Sequence, residues 1–189
     1  MALPTLQKAH GYELQFFTNH MGHFQLVTGL ISRLTDTARV VMLSSAAHAM
    51  APSCGIDFAN LKGEKSYAAW PAYGQAKLAN LLFAKELARR FAGTGRTANA
   101  LHPGVINTNL GRSMNVFMRL GLSLAEPFFL KSVEQGAATQ CYVATHPSLA
   151  TVSGQYFADS NVARHTRLVA DADLARQLWD ESEKIAAQF

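Results

Sequence analysis

The chain has 189 residues, 49% of them apolar and 16% charged, with a formal net charge of +4. This length suits one domain with a sizeable core, and the apolar share excludes an intrinsically disordered chain. The basic residues are scattered without a run of five or six, which reads as ordinary surface charge and not as a nucleic-acid surface. The two cysteines, Cys54 and Cys141, are far apart and form neither a zinc spacing nor a redox pair. No basic-then-apolar leader opens the chain, so cytoplasmic placement is expected. The longest apolar tract, 114–130, is broken by Arg119, Glu126 and Pro127 and is too interrupted to span a bilayer.

In chain order, residues 1–9 read as a loop. Residues 11–34 read as a helix, because Leu14, Phe17, Met21, Phe24 and Val27 recur at three- and four-residue steps. Asn19 is a polar side chain inside that pattern, and the plain reading is a buried amide tying up a backbone group. His20 and His23 stand three apart without a third ligand at a fixed spacing, which argues against a metal. Residues 38–44 (ARVVMLS) read as a strand buried on both faces, ending in Ser44-Ser45. In open α/β sheets the ligand crevice lies beyond the carboxyl ends of strands, although serines also commonly end strands and begin turns. The long connection 46–71 is functional or partly structured.

Residues 72–91 (AYGQAKLANLLFAKELARRF) read as a long helix with Pro71 near its first turn. Tyr73 and Lys77 are four apart and therefore share a face. Leu78, Leu81, Leu82, Ala88 and Phe91 form an apolar stripe, with Lys85, Glu86, Arg89 and Arg90 expected to face away. The segment 93–98 nearly matches a dinucleotide fingerprint, but it follows a helix and precedes a strand, so it reads as a turn. Residues 96–101 form a second strand, followed by His102-Pro103-Gly104, Val105 and Thr108. After the Met- and Phe-rich tract 111–130 come a helix at 132–145, a third strand at 154–158 and a closing helix at 171–189. Leu174, Leu178, Ile185 and Phe189 of that helix are expected to face the sheet, with Asp171 and Asp173 at its positive end. The three strands are expected to lie parallel in the order 38–44, 96–101, 154–158, leaving 38–44 as an exposed edge.

The ordered set Asn19, Ser44-Ser45, Tyr73-x-x-x-Lys77, Pro103-Gly104 and Thr108 resembles the short-chain dehydrogenase/reductase family. The wording around it, TNHMGHF, then YAAWPAYGQAKLANLLFAKELARR, then LHPGVINTNL, resembles the retinol dehydrogenase-like branch, which includes relatives of protochlorophyllide reductase. Ala76 departs from the serine usual before the lysine. The resemblance implies an α/β fold: the carboxyl-terminal portion of a Rossmann-like, doubly wound parallel sheet with helices on both faces, 1–189 being a single incomplete domain. It implies an NAD(P)-dependent oxidoreductase acting on a hydrophobic alcohol, aldehyde or ketone. Tyr73 would be the acid/base, Lys77 its cationic neighbour, Ser45 the donor to the substrate oxygen and Asn19 the holder of a relay water. Tyr73, Lys77, Pro103, Gly104, Val105 and Thr108 would contact NADP or NAD, and 111–130 would cover the substrate.

The family's opening strand, its T-G-x-x-x-G-x-G phosphate loop and its N-N-A-G strand have no counterpart in this sequence, so cofactor binding is expected to be weakened or lost. Helices 11–34 and 72–91 correspond to those that pair between subunits in the family, so a homo-oligomer is a further expectation, and 111–130 could touch a membrane surface. The alternative to catalysis is a silent relative acting as an interaction module, or an incomplete gene product. Bringing a phenol from pKa about 10 to about 7 needs roughly 4 kcal/mol. A lysine at about 6 Å supplies roughly 2.8 kcal/mol at an effective dielectric of about 20.

Overall fold

The computed structural model describes residues 1–106 and 131–189. Thr108 and the tract 111–130 lie outside the described residues, and with them the readings placed on them.

The first residues are not all loop. A two-residue hairpin, β1 (Lys8–Ala9) with β2 (Tyr12–Glu13), turns through His10 and Gly11, both at positive φ. Glu13 then caps the helical stretch by accepting from Phe16 N–H at 2.7 Å. That stretch begins as α1 (Leu14–Phe16), widens into a π-helical turn (Phe17–Met21) and continues as α2 (Gly22–Leu30). The helix is therefore shorter than 11–34 and interrupted at Asn19.

The sheet is built from β3 (Arg39–Leu43), β4 (Thr97–His102), β5 (Tyr156–Ala158) and β6 (Asn161–Val162), in that spatial order. The first three are parallel in the expected order, with Arg39 opposite Thr97 and Ala100 opposite Tyr156. The antiparallel β6 was not expected. It is reached through Asp159-Ser160, both at positive φ, a two-residue turn that returns the chain along β5. Strand β3 is not buried on both faces as its composition suggested: Leu43 is 42% exposed, as befits an edge strand.

Helix α3 (Ala69–Arg90) lies along one face of the sheet, with α1, the π-helical turn and α5 (Ala172–Ala186) against it. Pro71 falls in its first turn, where N–H groups have no intrahelical partner. Leu78, Leu81, Leu82, Phe83 and Leu87 join Phe16, Phe24, Leu178, Trp179 and Ile185 over Met42, Ala98, Ala100 and Tyr156. Each such side chain contributes about 1.5–3 kcal/mol on burial, so this helix is the framework of the fold. The other face of the sheet carries α4 (Val133–Thr145), where Leu101, Val143, Leu149 and Phe157 form a smaller core. Helix α4 opens with a capping box between Ser132 and Gln135.

Two orientation readings fail. Glu86 is 2% exposed, because Arg89 and Arg90 both donate to it and Arg90 stacks on Trp179 at 3.9 Å. Phe189 is 58% exposed: it lies beyond the last turn of α5, against His10 and Phe17.

Candidate active site

The site forms where the end of β3 meets the first turns of α3. Two serines follow β3, and alternation sends them to different partners. Ser44 is buried and donates its hydroxyl to Lys77 O at 2.7 Å, so it ties the strand end to the helix. Ser45 is half-buried and extended (φ −158°, ψ 156°), and its hydroxyl accepts from Ala47 N–H at 3.2 Å. That bond caps a 3-10 turn, Ala46–Met50, which packs on α3. His48 in this turn donates from Nδ1 to Ser45 O at 2.7 Å and fixes the Ser45 backbone.

The 3-10 turn can approach α3 only because residue 74 is glycine. A Cβ there would sit 2.6 Å from Ala47 O and 2.7 Å from Ala51 N. Tyr73, next to it, is thereby brought close enough to the Ser45 hydroxyl for a loose hydrogen bond. One turn further along, Lys77 Nζ lies 5.6 Å from the centre of the Tyr73 ring. Lys77 is 7% exposed, and its ammonium makes a long contact of 3.5 Å with Leu43 O. The spacing of Tyr73 and Lys77 on one helix face is thus realised, and Ser45 joins them.

The electrostatics differ from the estimate made on charge alone. Burial pushes the Tyr73 phenol above its ordinary value of about 10, and the hydrogen bond with Ser45 pulls it back only in part. Burial also lowers Lys77 from the ordinary lysine value. In this state the phenol keeps its proton.

Asn19 is half-buried in the π-helical turn and makes no hydrogen bond to Ser45, Tyr73 or Lys77; its main-chain carbonyl accepts from His23 Nδ1 at 2.7 Å. Single π turns recur at functional sites. His20 and His23 do not share a ligand, since His20 is fully buried against Ser182 and His23 is exposed. Pro103 and Gly104 follow β4 at the same end of the sheet as Ser45, with Gly104 at φ +92° and Val105 exposed. A Cβ on Gly104 would meet the Lys131 side chain at 2.6 Å. Lys131 pairs with Asp159 at the end of β5. Sequence reasoning missed Gly74, His48 and Asn80. Asn80 was visible as an amide on the apolar stripe of α3, three residues beyond Lys77.

Known proteins are similar to this chain over nearly its whole length. The short-chain dehydrogenase TIC 32 A, chloroplastic, of Brassica napus is 42% identical over 194 residues, covering 98% of this chain and 60% of that protein. Human retinol dehydrogenase 14 is 39% identical, covering 95% of this chain and 54% of its own. The chain belongs to the short-chain dehydrogenase/reductase family. A solved but uncharacterised protein from Mycobacterium paratuberculosis has the same fold with a TM-score of 0.74 and 32% identity, over 97% of this chain and 62% of that one. The chain therefore spans between half and two thirds of the length of these members. No family model matches the sequence. Among the described residues no helix is long and apolar enough to cross a membrane.

Proposed function

We propose that this chain carries the proton-transfer part of a short-chain dehydrogenase/reductase site and serves an NAD(P)-dependent reaction on a hydrophobic alcohol, aldehyde or ketone. The observation that carries this reading is the meeting of the Tyr73 phenol, the Ser45 hydroxyl and the Lys77 ammonium at the end of β3. Tyr73, resting as the neutral phenol, donates its proton to a carbonyl oxygen, and Ser45 donates a hydrogen bond to that same oxygen. Lys77, with its ammonium 5.6 Å from the centre of the Tyr73 ring, supplies the neighbouring positive charge for the phenolate left behind.

A raised phenol pKa suits the reducing direction: the group starts as an acid. The residues present fit a nicotinamide nucleotide at one end only. Gly104, at positive φ and without a side chain, lets backbone come close to a flat ring once the Lys131 side chain packed beside it moves aside, and Pro103 and Val105 flank it. Lys77, held by only a long contact to Leu43 O, has donors left over for a sugar hydroxyl. When bound, such a nucleotide supplies the hydride and, once oxidised, a positive charge. Asn19 enters this reading only through its π turn, and a water on it is a proposal that His23 opposes by occupying the Asn19 carbonyl. Self-association through α2 has a surface to act on, since Leu26 and Leu30 are exposed on it.

The test titrates the purified chain with NADPH and NADH by fluorescence and then follows reduction of a long-chain aldehyde. Tyr73→Phe is expected to lower turnover by about 10²-fold or more. Absence of saturable binding by either nucleotide, or a Tyr73→Phe variant as active as the parent, rejects the reading.

A further inference from the structure

The end of β3 poses a backbone problem that α3 solves. Ala38 O and Ser44 N–H both pair with β4, through Thr97 N–H and Leu101 O, so even-numbered residues of β3 turn their peptide groups towards β4. Leu43, an odd-numbered residue, turns its carbonyl the other way. Among the described residues no strand receives it; two side chains of α3 do. Asn80 Nδ2 donates to Leu43 O at 3.1 Å, and Lys77 Nζ approaches the same oxygen at 3.5 Å. Of the two, the Asn80 contact is the shorter and comes from a fully buried side chain.

Asn80 is itself held from behind. His20, from the π turn, is fully buried among the rings of Phe16, Phe24 and Phe83. Its Nε2 lies 2.8 Å from Ser182 Oγ on α5. Two buried polar atoms then remain without another partner, His20 Nδ1 and Asn80 Oδ1. The two side chains face each other in a contact somewhat looser than a full hydrogen bond. One proton arrangement serves every polar atom of His20 and Asn80. His20 carries its hydrogen on Nδ1 and donates to Asn80 Oδ1, and Asn80 Nδ2 remains free to donate to Leu43 O; Ser182 Oγ–H, which lies 2.7 Å from Leu178 O, turns from that helical carbonyl to donate to Nε2. The alternative, with the hydrogen on Nε2, leaves Asn80 Oδ1 buried and unpaired, which costs about 1–3 kcal/mol.

We propose that Asn80 is the positioning residue for Lys77: it fixes the Leu43 carbonyl against which the ammonium rests, and His20 and Ser182 lock Asn80 in the orientation that does so. This rests on the catalytic reading only for its purpose; the chain Ser182–His20–Asn80–Leu43–Lys77 is a matter of structure and is tested without turnover. His20 acts as a neutral strut, and its burial lowers its pKa to about 3. The strut joins three helical elements, the π turn, α3 and α5, inside the main core.

The test uses two nuclear magnetic resonance readouts on the full chain, neither needing nucleotide or substrate. Nitrogen-15 spectra of the imidazoles report the tautomer, and carbon-13 dimethylation of the lysines reports the Lys77 titration, assigned by its absence in Lys77→Arg. In the parent, His20 is expected as the Nδ1–H tautomer, without titration down to about pH 4, the limit set by a pKa near 3. In Asn80→Leu, His20 is expected to move its hydrogen to Nε2. In that variant the Lys77 titration should also move up towards the ordinary lysine value, because the ammonium loses its fixed buried seat. A parent His20 protonated on Nε2 overturns the proposal whether or not any variant folds. A folded Asn80→Leu variant with Lys77 titrating as in the parent overturns it too. These signatures seen in a chain that binds no nucleotide would reject the catalytic reading and leave the seating of Lys77 standing.

Discussion

Gly74→Ala tests whether the contact between α3 and the Ala46–Met50 turn sets the site. A new Cβ would meet Ala47 O at 2.6 Å and Met50 C at 2.8 Å, and both are backbone atoms that cannot rotate away. Restoring an ordinary contact of about 3.4 Å requires the turn to retreat by about 0.8 Å. Overpacking of this kind costs about 1–3 kcal/mol. The helix propensity of alanine over glycine returns about 1 kcal/mol, so a net loss of up to about 2 kcal/mol is expected. For a chain of this size each kcal/mol is worth about 2–4 °C, so thermal unfolding followed by circular dichroism should shift down by up to roughly 8 °C. Ser45 opens the displaced turn, so its hydroxyl withdraws from Tyr73 by a similar amount. Displacements near 1 Å can lower turnover about 10²-fold. A melting temperature equal to or above that of the parent would show that the turn yields freely and that Gly74 does not hold the site together.

Two further outcomes follow from buried charge and buried imidazole. His20 has a folded pKa of about 3 against an ordinary 6.5, so the folded state binds fewer protons than the unfolded state between those values. Stability is therefore complete above about pH 6.5 and is lost as pH falls towards 3; at about pH 5 the loss is about 2 kcal/mol. His48 and His102, also lowered chiefly by burial, act in the same direction. Urea midpoints measured from neutral to about pH 5 should fall, and His20→Gln should flatten the slope; an unchanged slope would mean that His20 titrates normally. Glu86→Gln should cost about 1–2 kcal/mol by removing the partner of Arg89 and Arg90. The loss should vary little with salt, because the carboxylate is shielded from water. A change below about 0.5 kcal/mol in urea unfolding would place Glu86 among ordinary surface residues.

The long helix and its Tyr73–Lys77 face were legible because 3.6-residue periodicity is a local property. The three parallel strands were legible because β-branched runs and their connections are local as well. What escaped reading depends on partners far away in the chain. Glu86 looked like a surface residue; Arg89 and Arg90 cover its carboxylate, and Trp179 beneath Arg90 is the distant partner that the sequence does not show. Strand β6 was hidden because its turn uses Asp159-Ser160, which lacks the glycine that usually announces such a hairpin. The sign of the Tyr73 shift was misjudged because a lysine in the sequence shows its charge, whereas the burial that outweighs it belongs to the folded chain. Asn80 gave a signal, an amide on an apolar stripe, but His20, which faces it, lies 60 positions away, and Ser182, which holds His20, lies 102 positions away.

The alternation along β3 makes its outer flank a ruled line of backbone donors and acceptors at every second residue. Arg39 and Val41 present theirs to the surroundings, while Leu43 has its carbonyl drawn aside by α3. A ribbon laid against this flank in parallel could bond along the first part of the strand and would meet a carbonyl already engaged at its tip. The sheet can thus be widened at its foot while the end that bears Ser45 stays reserved for the helix.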